Sequence, residues 1–513
     1  MRRVLVMLLL ALPKVAHADL LKRVLADGDG GGGSATVASA DANDLVAWAG
    51  QPKEITLPEL LQLAIRQAPS LQNAKIDIAV AEAQIAQTWA RHDWTLRAQA
   101  TGSKQGSAVF SGFTLSSQSS FTVGADVSRV LPTGGTVDLH AGTQYSNTDS
   151  ALGTSKTWSD AVTASITQPL LKGYGSALYD STERRIELSR DVSVLARRLA
   201  ALQTIQTVVS TYWDLVLAER QVAITEASLA LARERLRVTQ VAVKGGKVAD
   251  AEVPAVQQII ATREEDVLNG ELAVLDRSIT LRRTVGLPIG ASELGLRVAT
   301  DLDTRDAPLD LGGLVERAYT ASPELAQLAK QDKESTLDIE VTENGLLPQL
   351  DLALSLGPTG LDPSFNTAAK NLVELKAYQI NGSLTFSRSL NQYDVRGRST
   401  ELRTVREKLR VNAFDLRAQI AQSMARAVAQ IELAKRRVVL SQRAIELAKE
   451  NIRIETDRFN LGRSTNFDVL NRLEEQRQAE LRQAQALIDW HKAETVVLTL
   501  TGDLLPAFGI AVE

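Results

Sequence analysis

The segment LSRDVSVLARRLAAL (188–202) places Leu188, Val192, Leu195, Leu199 and Leu202 at steps of 4, 3, 4 and 3. That is the spacing of a coiled-coil helix. It sits in a run from about Ser181 to about Val285 that is rich in Ala, Leu, Arg, Gln and Glu, all good helix formers. The run reverses at Lys244-Gly245-Gly246-Lys247. Further along the first arm the seam turns Ala-rich, at Ala223, Ala227 and Ala230, where small side chains let helices approach closely. About 60 helical residues at ~1.5 Å each give a rod of roughly 90 Å. An echo runs from about Thr400 to about Leu500 and reverses at Leu461-Gly462-Arg463-Ser464. Two such rods in one chain indicate a mechanical spacer or the wall of a tube.

The 513 residues carry 57 Lys and Arg against 61 Asp and Glu, so no basic surplus points to nucleic acid. There is no Cys, which excludes disulfides, thiolate metal sites, a Cys nucleophile and a lipid-acceptor cysteine. His17, His92, His140 and His491 are far apart and read as surface or interfacial residues, not ligands. At the start, Arg2 and Arg3 precede a short apolar run, Val4 to Leu12, and the small-x-small site Ala16-His17-Ala18. This reads as a signal peptide over 1–18, too short to span a bilayer. Residues 19–53, with Gly28-Asp29-Gly30-Gly31-Gly32-Gly33, read as a flexible linker. No other apolar run reaches spanning length, so any membrane contact must come from β-strands.

Thr56 with Glu59 three residues later predicts a capped helix start, and Pro69 ends or kinks that helix. A second helix is expected from about Ser70 to Ala90. From Trp94 to Thr167 the texture changes to Ser, Thr, Gly, Val and aromatics. Residues 122–130, 136–141 and 161–167 alternate with period two, and Pro132-Thr133-Gly134-Gly135 reads as a turn. Such strands fit either a transmembrane barrel or a soluble sandwich. In a barrel, Trp94, Phe110, Phe113, Phe121, Tyr145 and Trp158 would be interfacial aromatics. After Gly286-Leu287-Pro288 an irregular stretch reaches Asp310.

The plan then restarts. Leu60, Ala64, Pro69 and Leu71 are matched by Leu314, Ala318, Pro323 and Leu325 at an offset of 254, while the reversal glycines Gly246 and Gly462 differ by 216. The first copy is therefore 38 residues longer between these landmarks, and the excess falls in the strand region. About four strands are expected there. About two are expected in the second copy, near 349–356 and 378–387. The units are thus 54–300 and 301–503, each a helix, strand and long-hairpin repeat, followed by a tail over 504–513.

The signal peptide, the duplicated unit, Gln168-Pro169-Leu170-Leu171, Tyr212-Trp213-Asp214-Leu215, and Phe459-x-x-Gly462 followed by Phe467-Asp468-Val469-Leu470 together resemble the TolC family of outer-membrane efflux and secretion ducts. The resemblance covers about Glu54 to Asp503 and rests on order and spacing in two copies. It implies a fold that is mainly α with β: duplicated long helical hairpins forming a trimeric periplasmic tube, with transmembrane strands shared in one trimeric barrel. Four strands per chain in three chains would give a closed barrel of twelve. The extra hairpin of the first repeat would either add barrel strands or form a flap.

The resemblance also implies site residues and partners. The reversals, with Gly245, Gly246 and Lys247 in one and Gly462, Arg463 and Ser464 in the other, would meet a periplasmic adaptor (membrane fusion) protein. Asp468 would ring a closed aperture facing the periplasm, with Asn471 where some members have a second Asp, and Glu252 as the first-hairpin counterpart. The alternative is that Asp468 is a helix N-terminal acid favoured by the dipole. No catalytic constellation, cofactor site, metal site or nucleotide loop is visible, so the chain is expected to be no enzyme. Energy would come from an inner-membrane transporter of the RND, ABC or MFS type, and the remaining surface would meet outer-membrane lipid. The expected function is the exit duct of a tripartite efflux pump or type I secretion system. An exported coiled-coil scaffold or adhesin is the alternative; a hydrolase finds no support in any Ser/His/Asp ordering. Carboxylates such as that in Arg233-Glu234-Arg235 read as a solvated, ion-paired helix face.

Overall fold

The structure, a computed structural model, describes residues 53–510 apart from 107–108, 111–112, 115–116, 151–152, 247, 291–293 and 299–308, and apart from the side chains of 109–117 and 150. The expected signal peptide and almost all of the Gly-rich linker, with His17, lie outside the described residues, as do Lys247 and the side chains of Phe110 and Phe113.

In chain order, β1 (Lys53–Ile55), α1 (Leu57–Gln67) and α2 (Pro69–Thr88) precede the strands β2 (Thr95–Gln105), β3 (Val109–Phe110), β4 (Phe113–Thr114), β5 (Ser117–Val130), β6 (Thr136–Ser150) and β7 (Gly153–Pro169). A short α3 (Ser176–Tyr179) leads into α4 (Ser181–Lys244) and α5 (Glu252–Val285). The second half holds β8 (Leu296–Val298), α6 (Leu311–Ala321), α7 (Pro323–Asn344), β9 (Gln349–Asp362), α8 (Phe365–Val373) and β10 (Ala377–Ser387). It ends with α9 (Tyr393–Asn460), α10 (Asn466–Thr501) and α11 (Leu504–Ala507). None of the described helices is long and apolar enough to cross a membrane.

The long helices α4 and α9 have 64 and 68 residues. At ~1.5 Å per residue these are rods of roughly 95–100 Å. Their return helices α5 and α10 have 34 and 36 residues, so they flank only the half nearest the reversals. Helices α2 and α7, with 20 and 22 residues, pack beside the other half. The two copies use matching sequence in matching places. Pro69 and Pro323 each open their helix at its first position, where a missing N–H costs nothing. Leu60 and Leu314, and Ala64 and Ala318, are buried. The Glu59 carboxylate accepts the Thr56 backbone N–H at 3.2 Å, as the capping-box spacing predicts.

The main core lies midway along the rods. Leu60, Ile205, Tyr212, Leu281, Leu296, Ile488 and Leu504 meet there. β1 and β8 pair in parallel beside it, Ile55 opposite Val298, so part of the stretch expected to be irregular is a strand, and Lys53 belongs to β1 rather than to the linker. Residues 504–510 do not trail away as a tail: Leu504 and Leu505 are buried in this core. Other expectations are corrected here too. Ala223, Ala227 and Ala230 are exposed; the buried stripe of α4 runs through Thr225, Ser228, Leu229 and Ala232. His491 is buried, stacked on Trp213 at 4.2 Å, because α10 crosses α4 there. His140 lies in the sheet beside Asp126, and His92 touches Tyr179 edge to face.

The strands form one six-stranded antiparallel sheet in the order β10-β9-β7-β6-β5-β2. Four strands come from the first copy and two from the second, the numbers expected from the alternation, whereas a twelve-stranded trimer would use four per chain. β3 and β4 make a small separate hairpin between β2 and β5. The pairing register aligns side chains by face. Leu96 opposes Val127, Val127 opposes Leu139, Leu139 opposes Ala164, Ala164 opposes Leu356 and Leu356 opposes Ile380. The alternate face carries Ser and Thr, with Asp126 and His140. One face is therefore largely apolar across all six strands, interrupted by Thr143 opposite Asp160, as suits an outer-membrane barrel. On β7 it runs from Trp158 to Ile166, with the buried Asp160 two residues in from Trp158; the eight steps of ~3.3 Å are about 26 Å along the strand, the scale of a bilayer's apolar band.

Aromatic residues mark both ends of this face. Phe121, Tyr145 and Trp158 lie in one cross-strand row at the end distant from the rods, and Phe365 of α8 meets Trp158 at 5.2 Å. Trp94, beneath the Arg129 guanidinium, and Phe386 mark the end near the rods. Helix α8 rests against β9 where Gly360 leaves room: a Cβ there would come within 2.0 Å of the Ala368 carbonyl oxygen.

Gly286, which ends α5, has φ +86, and an added Cβ would come within 2.5 Å of the Gln67 carbonyl oxygen. Gly286→Ala should therefore both strain the backbone and part α1 from α5, at a cost of about 1–3 kcal/mol. Thermal unfolding followed by circular dichroism checks this: the midpoint should fall in Gly286→Ala and stay unchanged in Gly290→Ala, where a Cβ meets open space.

Candidate functional site at the helix reversals

The two reversals are built alike. At the second, Gly462 has φ +68 and donates its N–H to the Phe459 carbonyl at 2.9 Å, while the Arg463 N–H reaches the Arg458 carbonyl at 2.8 Å. This is a Schellman closure, and its left-handed position favours Gly. At the first, Gly246 has φ +70 and donates to the Val243 carbonyl at 2.9 Å; Gly245 has φ −83. Nothing lies within 4 Å of a Cβ at Gly246 or Gly462, so both glycines serve chain direction and not close packing.

The starts of the return helices differ. Thr465 caps α10 and Asp468 completes a capping box: the Asp468 N–H reaches Thr465 Oγ1 at 3.3 Å, and Asp468 Oδ2 accepts the Thr465 N–H at 3.1 Å. The Thr465 hydroxyl also donates to that oxygen at 2.7 Å, and the Ser464 hydroxyl lies 3.2 Å from it. The Thr465 hydroxyl and N–H hold the Asp468 carboxyl below the usual carboxylate range. Ser464 also donates to Glu455, which is buried beside Arg458. Asp468 thus does the capping work, Ser464 is tied to two carboxylates, and Arg463, Gly462 and Asn471 are exposed. α5 starts at Glu252 with no side-chain cap.

Two buried arginines join the hairpins near these reversals. Arg235, only 8 % exposed, stacks on the Phe459 ring at 3.9 Å and donates through Nε to Asn466 Oδ1 at 2.7 Å. Burial lowers its pKa, and the charge of Glu252 opposes that. Arg263 donates to the Ser228 hydroxyl and to Glu474 Oε2, the latter at 3.2 Å. Glu474 also meets Arg477, which lies 3.8 Å from Asp266. Burial pushes the Glu474 carboxyl up, but hydrogen bonds from Arg477 and Gln478 and the Arg263 charge outweigh it and leave the pKa lowered. Around them pack Leu229, Val256, Ile260, Val267 and Leu470.

These arginines correct the reading of Arg233-Glu234-Arg235 as wholly solvated. Arg233 pairs with Glu264, and Glu234 with Arg237, on the surface; Arg235 turns inward. Sequence carried a signal for both. Arg235 continues the stripe Ser228, Ala232 and Thr239, and Arg263 continues Val256, Ile260 and Val267, each at steps of 3 or 4. A cation in an inward register is a buried pair in waiting.

This architecture defines a class: an open six-stranded sheet with one largely apolar face, carried on duplicated helical hairpins. Residues 135–287 match the outer membrane efflux protein family. The chain is 21% identical to Nodulation protein T of Rhizobium leguminosarum bv. trifolii over 331 residues, 62% of this chain and 67% of that protein. Among solved structures, it resembles the CmeC outer membrane channel of Campylobacter jejuni with a TM-score of 0.66 at 15% identity, covering 96% of this chain and 94% of that one. It also resembles the open state of the MtrE outer membrane channel of Neisseria gonorrhoeae, with a TM-score of 0.63 at 18% identity, covering 91% and 94%. Over residues 135–287 the chain thus matches the outer membrane efflux protein family, and its fold is that of the outer-membrane channels it resembles.

The depressed pKa of Asp468 gives a pH-dependent test. The ionised carboxylate supports the first turn of α10 in full above the ordinary Asp value, and that support fades as pH falls through the lower folded value. Hydrogen exchange at residues 465–470 should be faster in Asp468→Asn than in the native protein at pH 7. The difference should shrink towards zero as the native carboxyl protonates.

Proposed function

We propose that three copies form the duct. The observation that carries this is a stripe on α9: Leu433, Leu440, Leu447 and Ile454 lie seven residues apart and are 45–66 % exposed. A heptad stripe of Leu and Ile in water is the face of a coiled coil lacking its partner. Exposed Ala223, Ala227 and Ala230 on α4 supply small residues against which a neighbouring helix can close. A soluble scaffold would bury the stripe by self-association but would leave the sheet's apolar face in water, which disfavours the adhesin alternative.

In this reading the duct takes substrate from an inner-membrane transporter, of RND, ABC or MFS type, through a periplasmic adaptor. The adaptor would seat on the exposed reversals, at Gly245, Gly246 and Lys247 and at Gly462, Arg463 and Ser464. Three copies of Asp468, with Asn471 a turn further on and Glu252 nearby, would ring the aperture. With Asn in place of a second acid, the ring holds fewer charges and its cation selectivity is correspondingly modest. Opening would part the two hairpins where Arg263 meets Glu474 and Arg235 meets Asn466, contacts costly to break singly because each leaves a buried charge.

The native mass of detergent-extracted protein, corrected for bound detergent, tests the assembly. It should be three times that of the mature chain, and Leu440→Asp with Leu447→Asp should yield monomers. A native monomer would contradict the duct assembly. In planar bilayers, Asp468→Ala should raise single-channel conductance severalfold or weaken cation preference; unchanged values would remove Asp468 from the aperture and leave it as a cap.

A further inference from the structure

We propose that the closed barrel holds six strands from each copy, eighteen in a trimer, and that β2 of one copy pairs with β10 of the next. The proposal rests on the trimeric reading above and settles the fate of the additional hairpin, β5 with β6.

The hairpin is not appended to the sheet. It lies inside it, with β5 bonded to β2 and β6 bonded to β7. A flap would leave β2 next to β7, as a simple hairpin pairs. Here the pairing of β5 with β6 is continuous from Ser117 opposite Asp149 to Val130 opposite Thr136, the full height of the sheet. Its faces match their neighbours. Phe121, Val123, Val127 and Leu139 fall on the apolar side, in register with Leu96 of β2 and Ile166 of β7. Thr122, Gln144 and the Asp126–His140 pair fall on the polar side. A lumen plug or external flap has no reason to keep an apolar face in register with lipid-facing strands.

The free edges fit each other. Among the described residues β2 is bonded only to β5 and β10 only to β9, and each has 11 residues. β2 leads away from the rods and β10 returns to them, so a head-to-tail ring of copies joins them antiparallel. Hydrocarbon tolerates no unpaired backbone edge, so each must be covered at membrane depth, and a second copy covers both at once. Barrel diameter grows roughly linearly with strand number. Eighteen strands make a mouth about one and a half times as wide as twelve, in the range that leaves an open aqueous lumen. Any constriction then belongs at the helix reversals and not in the membrane.

The absence of native cysteine allows clean labelling. Single cysteines at Val123 and Leu139, and at Thr122 and Gln144, would carry a small fluorophore in the full-length protein in vesicles, with Leu384→Cys on β10 as the lipid-facing reference. Brominated acyl chains should quench labels at 123 and 139 to within about twofold of 384, while aqueous iodide quenches those at 122 and 144. Thr101→Cys combined in turn with cysteine at Gln379, Asn381, Ser383 and Thr385 should give disulfide-linked ladders up to trimer. Labels at 123 and 139 quenched by iodide alone, with 384 still in lipid, would overturn eighteen strands and leave the duct standing. If 384 too were reached only by iodide, the membrane reading itself would fall. No interchain product at any β10 position would overturn the edge pairing.

Discussion

The structure depends on one constraint: inside hydrocarbon, every backbone N–H and C=O must find a partner within protein. A sheet that meets lipid on one face therefore cannot stop at an open edge. Six strands with an apolar face end at β2 and β10, and both edges are incomplete in a single chain. The rest follows from closing them. In the proposed ring of copies the helices would stand side by side, which would bring exposed stripes such as Leu433 to Ile454 against neighbours. Propensity alone does not hold such long helices, and in the proposed ring each stripe would have somewhere to go.

A second constraint acts at the far end. The hairpins are held together by cations placed in an apolar seam, Arg235 on Phe459 and Arg263 on Glu474. Buried pairs of this kind add little net stability, yet removing one partner is costly. That asymmetry would suit the proposed opening, in which the seam is either closed or open and not loosely both. Asp468 sits beside the seam with its carboxylate already committed to the cap of α10. The proposed aperture role is compatible with the cap, since the same ionised oxygen that orders the helix start is held below the usual carboxylate range.

The helical architecture was legible in the sequence because its signals are long and redundant: sustained heptad spacing, two glycine reversals, and Pro69 and Pro323 at equivalent places. Period-two alternation placed the strands and their number, about four and about two, but not the order of their pairing, which is a three-dimensional fact. Ala223, Ala227 and Ala230 read as a close-approach seam and are exposed in the single chain, since small residues suit both a buried seam and a face waiting for a partner. Arg235 and Arg263 were hidden by local composition: among Glu and Arg neighbours a cation looks solvated, and only its register with Ser228 or Val256 betrays it. His491 was missed for a similar reason, because its burial is set by Trp213, 278 residues earlier.

Electron cryo-microscopy of the protein reconstituted in lipid nanodiscs tests the central claim most directly. The account predicts a threefold particle, a helical tube about 100 Å long set by α4 and α9, and a membrane barrel with six antiparallel strands from each copy joined β2 to β10. A particle without threefold symmetry, or a barrel in which β5 and β6 stand outside the wall, would contradict it.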